Sequence, residues 1–165
     1  MNPLKTPWIF WIHDVKNENY KLNDYKKITT INTIEEYSIF LHKLLTIKHE
    51  PFKNMLFFMR DGITPLWEDP NLIHGGFWSF KIPLKFAIDY FLLYIKLCIG
   101  ETICENSEHI LGISISPKLS SCTLKIWANN TNISDISQYA HLTNEYVSAS
   151  KNIYVNFSKA LWNNK

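Results

Sequence analysis

Arginine is almost missing from this chain: of seventeen basic residues in 165, sixteen are lysine and only Arg60 is arginine. Phosphate recognition by a cluster of bidentate guanidinium forks is therefore excluded, and any phosphate site must run on lysine and backbone N–H groups. A formal net charge of +2 is too small to advertise a duplex-binding surface. Cysteine is scarce and odd in number. Cys98, Cys104 and Cys122 lack C-x-x-C spacing and read as reduced structural thiols rather than a disulfide frame or zinc site. The longest apolar run, Phe86 to Ile99, is short of the ~20 residues a bilayer span needs and carries Asp89 and Lys96. With no signal peptide either, a soluble cytoplasmic protein is expected. There is no G-x-S-x-G, no H-E-x-x-H, no Cys/His catalytic string and no glycine-rich phosphate loop. The six histidines are scattered without ligand spacing. Neither a catalytic residue, a metal nor a cofactor is expected.

What the chain does have is apolar and aromatic content, 46% and 15%, enough for one sizeable core in a single domain spanning 1–165. Trp8 to His13 is an aromatic-rich strand signal, followed by a polar loop from Asp14 to Asp24 and a short strand at Lys27 to Ile31. Thr33 with Glu36 is a capping box that opens a helix with Tyr37, Phe40, Leu41, Leu44 and Leu45 at helical spacing. Asn54 to Arg60 and Phe77 to Ile82 read as strands. Leu84 to Ile99 reads as a second helix stopped by Gly100. Strands at Ile110 to Ser116 and Thr123 to Ala128, a third helix from Ser134 to Ala149 and a last strand from Asn152 to Phe157 complete the order. The pattern is α+β, a largely antiparallel sheet with helices gathered on one face.

Between two of these strands lies Asp61-Gly62-Ile63-Thr64-Pro65-Leu66-Trp67-Glu68-Asp69-Pro70, closed by Gly75-Gly76-Phe77-Trp78. It sets a large π-face and a carboxylate on adjacent residues of a turn-rich loop. A Trp in a Pro-flanked loop also serves as a plain lid on a core. The pair nevertheless suits a flat cationic heterocycle with donors on its edge, such as 7-methylguanine: Trp67 would stack on the ring and Glu68 would accept from two N–H groups. A cation over Trp gains up to ~2 kcal/mol when desolvated. Base stacking contributes a further ~1–3 kcal/mol.

The string resembles the cap-binding eukaryotic translation initiation factor 4E family, which carries a near-identical Asp-Gly-Ile-x-Pro-Met-Trp-Glu-Asp run followed by Gly-Gly-x-Trp. The resemblance extends from Pro3 to about Phe157. It implies a strongly curved antiparallel sheet backed by three helices on its convex face, with the ligand in the concave face. It also implies a sandwich of the methylated base between two aromatics. Trp67 matches the second aromatic and Glu68 the acid that binds the base edge. For the first, Tyr20 is the best match, allowing one extra loop residue before Ile28, with Tyr25 as the fallback. Tyrosine stands there in the translation-repressing branch of the family. Trp127, fifteen residues after Gly112, matches the tryptophan that contacts the N7-methyl group; ordinary core is the alternative, and the preserved Gly-to-Trp spacing favours the cap-facing role.

The phosphate end departs from the family. Its arginine position becomes Lys118, and its two lysine positions become Ser120 and Thr123. Lys125, two residues from Trp127 and hence on the same strand face, partly replaces the missing charge. Capped mRNA is thus the expected partner, with base recognition intact and triphosphate recognition weakened. On the convex side the family grips a helical Tyr-x-x-x-x-Leu motif of the initiation scaffold. There Ile34 and Leu92 match retained supports, whereas Ser38 replaces an anchoring Trp and Lys96 a usually apolar residue. Three readings follow: a cap-binding initiation factor, a cap-binding competitor that represses or redirects translation, or an interaction module that kept the fold alone. The Asn-, Ile- and Lys-heavy composition fits the AT-rich genome of a parasite or large virus.

Overall fold

The computed structural model describes residues 1–46, 53–130, 132, 135–139 and 153–158, and among these it has seven strands and two full α-helices. In chain order they are β1 (Pro3–Asp14), β2 (Tyr25–Thr33), α1 (Ile34–Thr46), β3 (Asn54–Arg60), β4 (Gly76–Pro83), α2 (Ala87–Ile99), β5 (Ile110–Pro117), β6 (Ser121–Ala128) and β7 (Ile153–Asn156). The strands form one curved, wholly antiparallel sheet in the order β2-β1-β3-β5-β6-β4-β7. The α+β class and every expected strand are present. β1 is longer than its aromatic signal because Pro3 and the residues after it also pair or run alongside β2.

Alternation along the strands divides the apolar residues between the two faces. On β3, Leu56 and Phe58 join the larger core cluster, while Phe57 and Met59 join a second one. The same holds on β6, where Leu124 and Ile126 face one way and Trp127 the other. This follows from the two-residue period of a strand. The larger cluster is covered by Phe40 and Leu44 of α1 and by Phe91, Tyr94 and Ile95 of α2. Neither α1 nor α2 contributes a residue to the second cluster, around Phe57, Phe77, Trp127 and Phe157. It is covered by Ile63, Leu66, Trp67 and Leu72 from the loop between β3 and β4. That asymmetry is what leaves a concave face available.

Two helix ends differ instructively from expectation. At the start of α1 the Thr33 hydroxyl accepts from the Glu36 N–H at 3.2 Å. The Glu36 carboxylate, however, reaches past Thr33 to the Asn32 N–H at 2.5 Å. At the end of α2, Gly100 keeps a right-handed backbone and the left-handed residue is Glu101, with φ 53°. The N–H of Thr102 donates to Leu97 O and that of Glu101 to Cys98 O, the double bond of a Schellman ending. A glutamate tolerates this position because its carboxylate is held by the sole arginine. Arg60 Nη1 and Nη2 donate to Glu101 at 2.7 and 2.6 Å. The remaining guanidinium donors go to Thr6, to Ile110 O at 2.7 Å and to Ser107 O at 2.9 Å. The guanidinium also sits 4.7 Å over the Trp8 ring.

The expected third helix lies mostly outside the described residues. Within 135–139 there is a 3-10 turn at Ile136–Gln138 and a bridge from Tyr139 to Cys104. The three cysteines are buried free thiols, and burial pushes that of Cys122 up to about 11. No described helix is long and apolar enough to cross a membrane.

Candidate functional site

The loop between β3 and β4 is organised by one buried carboxylate. Asp69 is 5% exposed and accepts from the Thr64 N–H and hydroxyl, both at 2.7 Å, and from the Asn71 N–H and side-chain amide at 2.9 and 3.0 Å. Burial works against the charge, but these four donors outweigh it and hold the carboxyl below its ordinary range. Gly62, at φ 81°, supplies the left-handed turn out of β3. Gly75 closes the loop against β6, where a Cβ would lie 1.8 Å from Ala128 O. Between these fixed points Glu68 is exposed, and Trp67 is half-buried against Phe77 (ring centroids 5.5 Å, 29°) and Phe157 (6.4 Å).

The facing wall comes from the β1–β2 connection. Tyr20 is 53% exposed, and its ring lies on His13 at 5.0 Å and 9°. His13 is buried and its Nε2 donates to Asn19 O at 2.8 Å, tying the loop to the sheet one residue before Tyr20. Tyr25, at the start of β2, is buried with its edge on Phe57 (5.2 Å, 71°). Burial, with the neighbouring Tyr20, Glu68 and Asp24, pushes its phenol well above the ordinary range. Of the two tyrosines, Tyr20 is the one with an accessible face.

Between the walls is a cleft of about 460 Å³ lined by Tyr20, Tyr25, Met55, Phe57, Pro65, Leu66, Trp67, Glu68, Ser114, Ser116, Lys118, Thr123, Lys125 and Trp127. The volume suits a small organic ligand. Trp127 is only 2% exposed; its Nε1 donates to Ser114 Oγ at 2.9 Å, and it packs on Phe57 and Phe157. It is core and cleft floor at once. Lys118 is exposed on the β5–β6 turn, where its N–H donates to Ser121 O at 2.7 Å. Lys125 rises from mid-β6 with its ammonium 4.2 Å from the Phe77 ring centroid and 4.9 Å from that of Trp67.

All six sequence-derived cleft residues, Tyr20, Trp67, Glu68, Trp127, Lys118 and Lys125, therefore line one cavity. The partner-surface residues lie elsewhere. Ile34 and exposed Ser38 are one turn apart on α1, the Ser38 hydroxyl donating to Ile34 O at 3.0 Å. Half-buried Leu92 and exposed Lys96 are one turn apart on α2. Two supporting residues were not singled out by the sequence. Asp69 could have been, since Asp-x-Asn after a Thr is an Asx-turn pattern. His13 could not, because its role depends on the loop folding back onto β1.

The fold thus defines an α+β protein whose antiparallel sheet carries α1 and α2 on one side and an aromatic, carboxylate-rimmed cleft on the other. The sequence profile of "Eukaryotic initiation factor 4E" matches residues 3–162, and the chain belongs to that family. Translation initiation factor 4E-1 of Schizosaccharomyces pombe is 27% identical over 135 residues, covering 79% of this chain and 62% of the relative. The chain thus spans about three fifths of that relative's length. Among solved structures, C. elegans eIF4E-3, in complex with the 4E-binding protein Mextli and a cap analog, superposes with a TM-score of 0.80 at 18% identity, covering 98% of this chain and 95% of the other. Ascaris suum eIF4E-3 with m7G cap superposes with a TM-score of 0.71 at 21% identity, covering 82% and 78%. At these identities the likeness concerns the fold.

Proposed function

We propose that this protein binds the 7-methylguanosine cap of mRNA in the concave cleft and acts in translation initiation. The observation that carries the reading is the placement of Trp67, backed by Phe77, and Tyr20, backed by His13, around one cavity with Glu68 at its rim. In this reading the methylated base slides between the two rings. Glu68 accepts from its N1–H and 2-amino groups, Trp127 meets the N7-methyl group, and Lys118 and Lys125 face the phosphates. The resemblance to initiation factors that have been solved with cap ligands supports the same assignment.

Tryptophan-fluorescence titration with m7GTP, m7GMP and GTP tests it. Both methylated ligands should quench and GTP should not. A charge-assisted hydrogen bond worth ~1.5–3 kcal/mol implies that Glu68→Ala weakens binding roughly ten- to 150-fold. Trp67→Ala should do at least as much. Equal quenching by GTP, or indifference to both substitutions, would sink the proposal.

A second reading is favoured by Ser38 and Lys96, both exposed. A cap-binding chain that docks the initiation scaffold poorly would sequester caps and repress or redirect translation. Pull-down of the scaffold at ordinary strength would refute this second reading and leave the first in place.

A further inference from the structure

Behind the stacking face of Tyr20 sits a histidine that base recognition does not itself call for. His13 is 1% exposed, and its ring lies parallel to that of Tyr20 at 5.0 Å and tilted against that of Tyr25 at 4.6 Å. Its Nε2 is 2.8 Å from the Asn19 carbonyl, which can only accept, so Nε2 carries the proton. The neutral ring then has a bare Nδ1, and that atom is buried without a hydrogen-bond partner. A second proton on this ring would leave a donor and a charge both buried and uncompensated, a costly state. The surroundings offer no anion to relieve it. The register partners of His13 are Tyr25 on β2 and Met55 on β3. Asp14, next along β1, points to the other face and accepts from the Lys16 N–H at 2.9 Å. Asp24 accepts from the Asn17 side-chain amide at 3.0 Å and the Lys21 N–H at 3.2 Å. Glu68 belongs to the loop between β3 and β4. Among the described residues the ion pairs are Met1 with Glu35 and Arg60 with Glu101, so no carboxylate pairs with His13 there.

We propose that His13 is a positioning residue for Tyr20 that makes base binding proton-sensitive: the neutral ring holds Tyr20 at the cleft, and a proton on Nδ1 withdraws that wall. The inference rests on the cap-binding reading above. The tie to Asn19 and the stack on Tyr20 are made by one ring, so a charged His13 that leaves its buried site takes both away. A charged His13 that stays puts a cation on the back of Tyr20 while the cationic base needs the front. Either course opposes the methylated base.

The test titrates the parent protein, His13→Phe, His13→Gln and Tyr20→Ala with m7GpppG, and with GpppG as the unmethylated control, by fluorescence quenching. Two conditions, about pH 7.5 and about pH 5.5, bracket ordinary histidine ionisation. The bridging phosphates of the ligand stay ionised throughout. Lys125, which titrates near 8, and N1 of the methylated base take up protons over this interval in every protein, so the parent-to-variant ratio isolates His13. Losing the stack on one face of a base corresponds to roughly a five- to 150-fold change in affinity. On acidification the parent should therefore weaken by at least about fivefold relative to His13→Phe. Phenylalanine keeps a ring under Tyr20 and glutamine keeps a donor for the Asn19 carbonyl, but neither takes a proton, so the acid loss should vanish in both. It should vanish in Tyr20→Ala as well, which has no wall to withdraw. Circular dichroism checks folding at both pH values, and either His13 variant suffices for the comparison. An acid loss that survives in the His13 variants or in Tyr20→Ala, or a parent that shows none relative to them, overturns the proposal while cap binding stands. If no methyl-dependent quenching occurs in any of the four proteins at the higher pH, the cap-binding reading fails and takes this inference with it.

Discussion

Removing the carboxylate that holds the sole arginine should cost far more than an ordinary surface change. Arg60 and Glu101 have side chains 9% and 14% exposed, and two of the five guanidinium hydrogen bonds end on Glu101. Replacing one member of a buried pair costs ~3–5 kcal/mol, because the survivor's charge is left uncompensated. Glu101→Gln keeps the shape but turns an amide N–H2 toward the guanidinium. About 3 kcal/mol is expected, which for a chain of this size lowers Tm by about 6–12 °C. The backbone at Glu101 supplies an independent check. Its φ of 53° costs about 1 kcal/mol in a residue with a side chain and little in glycine. Glu101→Gly should therefore be about 1 kcal/mol more stable than Glu101→Ala, although both lack the carboxylate. Thermal and urea unfolding of the three variants measures this, and cap-analogue quenching of Glu101→Gln should match the parent at a temperature where both are folded. A Tm drop under about 2 °C for Glu101→Gln, or a glycine variant no better than alanine, refutes the account of Arg60 as an internal staple.

Asp69→Asn should loosen the Trp67 loop and weaken ligand quenching and stability together. Since the folded carboxyl titrates below its ordinary 3.8, its stabilisation is complete above that value and is lost as pH falls further, so acid unfolding of the variant should be flatter there. Lys125→Met should raise stability at pH 7 by about 1–2 kcal/mol, discounting the full shift for its partial exposure and ring contacts. The folded ammonium titrates near 8 against an ordinary 10.5, so its penalty fades as pH climbs between those values, and urea midpoints of the two proteins should converge over that range. With lysine only at positions 118 and 125, m7GTP should bind little more tightly than m7GMP, and the salt dependence should be shallow. A large m7GTP advantage measured by titration contradicts that. Ser38→Trp should strengthen capture of a Tyr-x-x-x-x-Leu peptide by tenfold or more if an aromatic anchor worth ≥ ~2 kcal/mol is what α1 lacks. Isothermal titration with the synthetic peptide checks it.

Local pattern carried much of this protein. The period-two alternation in Phe57-Phe58-Met59 and Leu124-to-Trp127 was enough to set a two-faced strand. Helical spacing around Phe40 and Leu44 was enough to set α1, because burial repeats at short range. The Trp67–Glu68 pair was legible for the same reason: two functional groups sit on adjacent residues in a loop marked by Gly and Pro. The tertiary structure alone decided the rest. It assigned the accessible face to Tyr20 and buried Tyr25 on Phe57, a choice that depends on how the β1–β2 connection folds back onto His13. It moved the left-handed helix ending from Gly100 to Glu101, since a carboxylate there meets Arg60 from a strand far away in sequence. It also set Lys125 against the rings of Phe77 and Trp67. Sequence spacing specifies which face of a strand a side chain occupies; which distant group waits on that face is settled only when the chain closes its long loops and packs.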